Sequence, residues 1–223
     1  MALTRNFGQF IANLSPNQIP DEATRIARMG FIDCIGAMIA GRGEPCTQIL
    51  KDVLAPGKGS ATLYFSGEQS TGPEAGWING TAAHALDYDD VTLPLRGHAS
   101  TVLVPAILAE AEVLGASCQD MLVAYTAGYE IWAELVRRDV PMYHQKGFHP
   151  TGVFGALAAA AACAKLRKLD ADRTAIAIAI GASQASGIMS NFGTMTKPFH
   201  AGKAAHSGIM SARLAEAGMT AGM

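Results

Sequence analysis

The sequence is poor in charge and in aromatic side chains. Its 223 residues include 17 lysines and arginines against 19 aspartates and glutamates, which gives a formal net charge of −2. No basic stripe is present to neutralise a nucleic-acid backbone, so we expect no nucleic-acid partner. Aromatic residues make up 7% of the chain but hydrophobic residues 49%, which is too apolar for a disordered chain. This composition is typical of a globular protein with a large core.

The sequence also lacks the marks of secreted, membrane and disulfide-bonded proteins. Its four cysteines lie far apart and form no C-x-x-C pair, so neither a disulfide framework nor a zinc site is indicated. The alanine-rich apolar run at residues 153–164 is shorter than the ~20 residues that span a bilayer. The N-terminal residues show no hydrophobic core of a signal peptide. We therefore expect a cytoplasmic protein that does not engage a membrane.

Several motifs of metal, nucleotide and nucleophilic chemistry are absent. The chain has no H-E-x-x-H, no EF-hand loop, no G-x-x-x-x-G-K-[ST] phosphate loop and no G-x-S-x-G nucleophile elbow. A metal site remains a minor alternative, because potential ligands cluster in one stretch of the chain: His84, Asp87, Asp89 and Asp90. We predict that the protein uses no metal and no cofactor.

The sequence is rich in alanine arranged in helical patterns. Prolines and acidic residues at helix starts, and glycines past helix ends, predict the boundaries. The predicted helices cover residues 3–14, 20–40, 45–54, 73–87, 101–114, 117–138, 150–166, 170–188 and 198–217, with one short strand at 61–65. We expect an all-α bundle in a single domain over residues 1–223. Helices with such small side chains bury little area each, so we also expect a homodimer.

The second predicted helix is expected to be central to the core. Its middle, residues 31–40, is apolar on nearly every side, and a helix that is apolar all round is usually buried. Gly36 costs about 1 kcal/mol of helix stability relative to alanine. We expect the close approach of another helix to explain this glycine.

Three polar segments interrupt the apolar pattern, and each precedes a predicted helix. The first spans residues 84–100, the second residues 147–151 and the third residues 197–206. A helix N-terminus presents unpaired N–H groups and a partial positive charge, which favour a bound carboxylate or phosphate. If the three segments meet in space, they form a polyanion-binding pocket with titratable groups, as in an acid–base enzyme.

The histidines and the lysine that precede these helices are the main candidate functional groups. His98, in a loop just before a helix, is the best candidate for a general acid or base. His149 is expected to cap the helix that Pro150 begins, and Lys197 is expected to be extended because it precedes Pro198. Taken singly, each has an ordinary explanation as a helix cap or a surface residue. Their repetition favours a shared anion site.

Other residues of the polar segments leave alternatives open. His84 and Asp87 are expected to share one face of a helix, and a solvated helix end explains them as well as a functional role does. His200 and Lys203 fall on successive turns of the last helix. His144 has no comparable setting, so we interpret it as a surface or loop residue.

In this order, the segments resemble the MmgE/PrpD family, which includes 2-methylcitrate dehydratases, cis-aconitate decarboxylases and related epimerases. The resemblance extends over nearly the whole chain. It implies an all-helical domain that binds a small di- or tricarboxylate without a metal or an organic cofactor. Four motifs carry it: residues 79–90 (NGTAAHALDYDD), 97–100 (GHAS), 147–152 (GFHPTG) and 197–205 (KPFHAGKAA).

The resemblance also implies roles for individual residues. Asp87 would orient the site, and His98 would donate or accept the proton. His149 and Lys197 would act with them and hold the substrate carboxylates. Further substrate contacts are implied for three residues: His200, Lys203 and Asp90.

The chain departs from the family pattern in sequence and in length. Val91 stands where members often have threonine. Ala99, in His98-Ala99-Ser100, stands where the proline of His-Pro-Ser is usual. Family proteins are considerably longer, and they carry a second α/β domain that covers the pocket. Without that cover, water screens the charges of the site, so we expect weak or no activity from this chain alone.

The sequence therefore predicts the helical domain of a cofactor-independent lyase, either a hydro-lyase or a carboxy-lyase, with a small carboxylate as its substrate. Two alternatives remain open: an epimerase of the same family, or a non-catalytic helical module that dimerises or binds carboxylates. The residues alone do not identify the substrate or choose between dehydration, decarboxylation and epimerisation.

Overall fold

The computed structural model describes residues 3–140 and 142–222, and within these ranges the chain is mostly helical. The prediction of an all-α fold is confirmed. None of the helices there combines the length and apolar character needed to cross a membrane. The nine α-helices of the described ranges are α1 (Leu3–Asn13), α2 (Asp21–Ala40), α3 (Pro45–Leu54), α4 (Gly72–His84), α5 (Ser100–Leu114), α6 (Cys118–Arg137), α7 (Pro150–Leu166), α8 (Ala171–Gln184) and α9 (Thr196–Glu216). Two short strands, β1 (Ala61–Thr62) and β2 (Gln69–Ser70), pair antiparallel with Ala61 opposite Ser70.

Local capping chemistry explains where several helices begin. Thr71, Ser117 and Asp170 precede α4, α6 and α8, and each side-chain oxygen accepts a hydrogen bond from a backbone N–H in the first turn. Proline is the first residue of α3 and of α7, where its missing N–H leaves no helical hydrogen bond unmade. These starts agree closely with the predicted ones because both depend on the same few residues.

The core is built from α4, α5, α7 and α9, and most residues of each of these helices are buried. Small residues allow these helices to approach closely. A Cβ atom added to Gly208 of α9 would lie 2.3 Å from the Cβ of Ala159 in α7. One added to Gly202 would lie 2.2 Å from the carbonyl oxygen of Trp77 in α4. Because protein interiors are close-packed, a larger residue at either glycine would push α9 away from its neighbours.

The prediction that the second helix is central to the core is wrong. α2 buries only Ala27, Cys34 and Met38, while Ile32 is 73% exposed. A Cβ atom added to Gly36 would meet no atom within 4 Å, so no helix in the described part of the chain approaches there. An apolar pattern shows that a helix has surface to bury, but it does not say which helices fill the centre.

Three other predicted boundaries also differ. α4 ends at His84 rather than at residue 87, because Asp87 takes a left-handed backbone conformation with φ of +56°. α8 ends at Gln184 rather than near residue 188, ahead of Gly187 at φ of +121°. The strand predicted at 61–65 contracts to Ala61–Thr62.

Candidate active site

The three polar segments meet around one cavity with a volume of about 370 Å³. The first segment runs from the end of α4 to the start of α5, while the second and third lie at the N-terminal ends of α7 and α9. The helical core therefore holds loop ends and helix starts from distant parts of the chain next to one another. The polar side chains that line the cavity include Asp87, Arg96, His98, His144, His149 and Lys197.

A buried carboxylate, Asp89, lies between two imidazoles at this site. Its Oδ1 is 2.9 Å from Nδ1 of His84, and its Oδ2 is 3.0 Å from Nδ1 of His98. Asp89 is 4% exposed and His84 only 1%. The contact with His98 is at hydrogen-bonding distance, but the oxygen lies off the direction in which the ring N–H points. Such imperfect alignment is common in ligand-free active sites, where hydrogen bonds tighten once the substrate is bound.

The electrostatics of this cluster favour an ionised aspartate and a basic histidine. Burial opposes ionisation of Asp89, but the hydrogen bonds and charges of His84 and His98 lower its pKa to about 2. Burial also works against protonation of His98, but the hydrogen bond and charge of Asp89 outweigh it and raise the pKa of His98 above its ordinary value. His98 is therefore suited to take up and release a proton near neutral pH.

Asp87 and Lys197 form an ion pair at the wall of the cavity. Nζ of Lys197 lies 2.6 Å from Oδ1 of Asp87. Burial opposes the effect, but the hydrogen bond and charge of Lys197 lower the pKa of Asp87. Lys197 is not extended as predicted, because α9 already begins at Thr196 and includes it. Its side chain is 16% exposed, which leaves the ammonium group available to a ligand in the cavity.

A second buried pair consists of His149 and His200, whose Nδ1 atoms lie 3.1 Å apart. His149 is the N-cap of α7 directly before Pro150, as the sequence predicts. Burial and the surrounding positive groups lower the pKa of His149 to about 2, and burial also lowers the pKa of His200. Both rings are therefore neutral near pH 7, and one donates its Nδ1–H to the other.

Three residues with implied substrate contacts do not line the cavity: His200, which contacts His149, and Asp90 and Lys203. Asp90 accepts hydrogen bonds from the backbone N–H and the hydroxyl of Ser100, at 3.2 and 2.7 Å, and so fixes the start of α5. Nζ of Lys203 lies 3.1 Å from Oγ of Ser207 and 5.2 Å from the centre of the Trp77 ring. Their positions therefore argue against direct contact with a substrate.

The structure adds to the sequence-based interpretation at four further residues. His144, interpreted as a surface or loop residue, is exposed in the short helical turn Tyr143–Lys146, and it also lines the cavity. Its closeness in sequence to His149 could have indicated that it lies near the cavity. His84 and Asp87 do not share a helix face, because α4 ends at His84. Val91, where the family often has threonine, also lines the cavity, so this departure lies within the site.

The same cluster contains atoms of the kinds that bind metal ions. In residues 3–140 and 142–222, one group of four side chains offers such atoms within 4.8 Å of one another: His84, Asp87, Asp89 and His98. Lys197 already pairs with Asp87, and Asp89 already contacts both imidazoles. A divalent ion would have to compete with the ammonium group of Lys197 for Asp87. An ion at this cluster would therefore replace contacts that both aspartates already make.

A larger groove, with a volume of about 800 Å³, lies elsewhere, between α2 and α6. Its walls are mainly apolar and include Phe31, Ile35 and Leu122, and they contain none of the histidines. Volume alone does not identify an active site. The smaller cavity is the candidate because it gathers the titratable groups with altered pKa values.

Comparison with known proteins agrees with the resemblance carried by the polar segments. The chain matches the MmgE/PrpD N-terminal domain over residues 5–223. It is 31% identical to cis-aconitate decarboxylase of Homo sapiens over 230 residues, covering 98% of this chain and 47% of the relative. It is also 31% identical to cis-aconitate decarboxylase of Mus musculus, over 237 residues that cover 98% of this chain and 46% of the relative. For cis-aconitate decarboxylase of Aspergillus terreus the identity is 27% over 231 residues, with 98% and 46% covered.

This chain thus spans about half the length of the curated relatives it matches. The family match nevertheless covers almost all of its own sequence, including the three polar segments around the cavity. The chain therefore belongs to the MmgE/PrpD family.

Proposed function

We propose that this chain is the helical part of a cofactor-independent lyase that acts on a small di- or tricarboxylate. The observation that carries the proposal is the convergence of His98, His149 and Lys197 around one cavity of about 370 Å³. Cavities of this size bind small molecules. The similarity to proteins named cis-aconitate decarboxylases supports a carboxylate as the ligand.

In this proposal the polar groups have different tasks. Lys197 exchanges its partner Asp87 for a substrate carboxylate and holds it by a charge-assisted hydrogen bond. His98 transfers a proton at the carbon next to that carboxylate, while Lys197 stabilises the negative charge that develops. His149 is neutral near pH 7, so it supplies a hydrogen bond rather than the positive charge that the sequence suggested.

The two aspartates favour a catalytic role over simple carboxylate binding. A module that only binds anions gains nothing from negative groups beside its pocket, because they repel the ligand. Asp87 lines the cavity and Asp89 lies behind His98. Their presence is explained if His98 must become an imidazolium during the reaction, since a nearby carboxylate stabilises that form.

Binding of cis-aconitate, measured by calorimetry, tests the proposal. We expect saturable binding to the wild-type chain and a loss of affinity of roughly 10- to 100-fold in Lys197→Ala, the range for a hydrogen bond to a charged group. Lys58→Ala, which removes a lysine from an exposed loop, is the control with the same change in charge. Absence of binding, or equal losses in the two variants, would disprove the site.

We expect little turnover from this chain alone, because its cavity is open to water, which screens the charges that stabilise a transition state. Product formation from cis-aconitate is the measurement. Efficient turnover by the isolated chain would show that it needs no further domain.

We also propose that the chain forms a homodimer through the outer face of α2. Met29, Ile32 and Ile39 are 53%, 73% and 43% exposed. Together with Gly36 they follow the three- and four-residue spacing of a helix-pairing seam. The open space at Gly36 allows the same helix of a second copy to approach around a two-fold axis.

Sedimentation measurements test this surface. We expect the wild-type chain to dimerise and Ile32→Glu to be monomeric. Leu93→Glu changes a 90% exposed loop residue and should remain dimeric. A monomeric wild-type chain, or a dimeric Ile32→Glu, would exclude the α2 interface.

A further inference from the structure

Of the two aspartates that contact His98, only Asp89 is shielded from solvent. Its side chain has 0% exposed surface, whereas that of Asp87 is 58% exposed. Its oxygens lie 2.9 Å from Nδ1 of His84 and 3.0 Å from Nδ1 of His98. A buried charge is tolerated only when hydrogen bonds replace its lost hydration. The carboxylate and the two rings therefore depend on one another for their positions.

The ionised state of Asp89 determines which ring nitrogens carry hydrogen. Although burial opposes ionisation, the two imidazoles lower the pKa of Asp89 to about 2. A carboxylate can only accept hydrogen bonds, so a ring nitrogen that bonds to it must donate. We expect the misaligned Nδ1–H of His98 to close onto Asp89 when a ligand binds. Neutral His98 therefore carries its proton on Nδ1 and its lone pair on Nε2. This Nε2 is 3.7 Å from Oδ1 of Asp87, a residue that lines the cavity.

Asp87, to which the family resemblance assigns the orienting role, is placed differently. Its Oδ1 accepts a hydrogen bond from Lys197 at 2.6 Å and lies 3.7 Å from Nε2 of His98, which is too far for a hydrogen bond. Asp87 thus faces the nitrogen that would exchange a proton with a substrate. It does not contact the nitrogen that fixes the ring.

His84 holds the other side of Asp89. Its Nδ1 lies 2.9 Å from Oδ1 and 3.0 Å from Oδ2 of Asp89, and its ring centre is 4.6 Å from that of His98. The remaining ring nitrogen, Nε2, is buried and contacts no polar partner in the described chain. His84 is therefore not placed to exchange a proton with a ligand, and it acts as a fixed donor and packing partner.

We propose that Asp89, held in place by His84, is the positioning residue that sets the orientation and tautomer of His98. It keeps Nδ1–H toward itself and leaves an unprotonated Nε2 toward the cavity. The inference rests on the proposed function, because it takes His98 as the group that exchanges a proton with the substrate. In that step the substrate C–H bond breaks, Nε2 takes the proton, and the electron pair stays on the carbon next to the carboxylate. Asp89 then stabilises the imidazolium.

Nitrogen-15 NMR of the histidine side chains tests this tautomer in the full chain and does not require turnover. In the wild-type protein, at a pH above the pKa of His98, we expect a protonated Nδ1 and an unprotonated Nε2. The His98 signal is assigned by its disappearance in His98→Gln. A wild-type His98 that carries its proton on Nε2 would overturn the inference, whether or not any Asp89 variant folds.

Asp89→Asn provides the second test. In the amide one of the two oxygens becomes an NH2 group, which donates and cannot accept, so a ring nitrogen that faces this group loses its acceptor. We expect at least one of His84 and His98 to move its proton to Nε2, as an aspartate-to-asparagine change causes in catalytic triads. Asp139→Asn alters another buried aspartate, 7% exposed, and should leave both tautomers as in the wild type. Unchanged tautomers in a folded Asp89→Asn would overturn the positioning role.

Failure of the proposed function would look different from failure of this inference. If the wild-type tautomer is as expected but cis-aconitate does not bind in calorimetry, the positioning role stands and the substrate class is wrong. If cis-aconitate binds and Lys197→Ala weakens it, but Asp89→Asn leaves both rings unchanged, the substrate class stands and the positioning role is wrong.

Discussion

Two histidine clusters, His98 with Asp89 and His149 with His200, lie on either side of His84, and the pKa values of His98 and His149 shift in opposite directions. The ring centre of His84 is 4.6 Å from that of His98 and 6.1 Å from that of His149. Burial opposes protonation of both outer rings, but His98 contacts a carboxylate and its pKa rises, whereas His149 contacts His200 and its pKa falls to about 2. The polar partner, and not the position in the pocket, therefore decides which histidine is the base.

Replacing the base should have the largest effect. We expect His98→Gln to lower kcat, however small its wild-type value, by at least about 100-fold, the range for a lost general acid–base group. The substrate affinity should change little. His149→Gln keeps a hydrogen-bond donor at the neutral pair and should lower kcat less. Steady-state kinetics with cis-aconitate measure both. Equal losses of kcat in His98→Gln and His149→Gln would show that the two histidines do not differ in function as proposed.

The neutral pair should make the fold sensitive to mild acid. His149 stays neutral in the folded protein down to about pH 2, while an unfolded histidine takes up a proton near its ordinary pKa of about 6.5. The unfolded chain therefore binds the proton first, and stability is lost as the pH falls below about 6.5. This single group contributes about 2 kcal/mol between pH 7 and pH 5.

Denaturant unfolding at several pH values measures this dependence, and His149→Gln should flatten it. His98 has the opposite sign, because its raised pKa gives stability that is complete below about pH 6.5 and is lost as the pH rises through the folded-state pKa. The same change in the free energy of unfolding between pH 7 and pH 5 in the wild type and in His149→Gln would show that His149 is not held neutral.

A smaller effect is expected when the carboxylate beside His98 is removed, which should make the surroundings of His98 resemble those of His149. In Asp89→Asn the carboxylate is gone, burial becomes the main influence, and the pKa of His98 should fall below its ordinary value. An NMR titration of His98 measures it, with Asp139→Asn as the control. If the pKa of His98 remained raised, Asp87 rather than Asp89 would be the source of its basicity.

The smallest effect is expected for Lys203, which lies outside both pairs and packs on Trp77. Lys203→Gln should change the affinity for cis-aconitate less than about twofold, since Lys203 does not line the cavity and changes away from a site have small effects. Calorimetry beside Lys197→Ala gives the comparison. A loss as large as that of Lys197→Ala would return Lys203 to the binding site.

Local chemistry made much of the fold predictable from the sequence. Ser117, Asp170 and Pro150 define helix starts through hydrogen bonds or a fixed φ, and these act within a few residues. The position of α2 was not predictable in this way. Its apolar pattern is as strong as that of a central helix, but which helices fill the centre depends on how closely glycine and alanine allow α9 to pack on α4 and α7.

The candidate site was predictable in its members more than in its geometry. Repetition of cationic residues before helices, together with the family motifs, predicted that His98, His149 and Lys197 belong together, and they line one cavity. The sequence did not show that Asp89, rather than Asp87, contacts Nδ1 of His98, because this contact depends on the left-handed backbone conformation of Asp87. α4 ends at His84, ahead of this residue, and Asp89 rather than Asp87 lies at hydrogen-bonding distance from both Nδ1 atoms.

The central claim is that three separate segments form one carboxylate site, and a titration of nitrogen-15 histidine-labelled protein with cis-aconitate tests it most directly. We expect the signals of His98 and His149 to shift together with a single dissociation constant. His206, whose ring packs on Trp77 at 4.9 Å, should not respond. Separate dissociation constants for His98 and His149, or a response at His206 as large as theirs, would contradict the account.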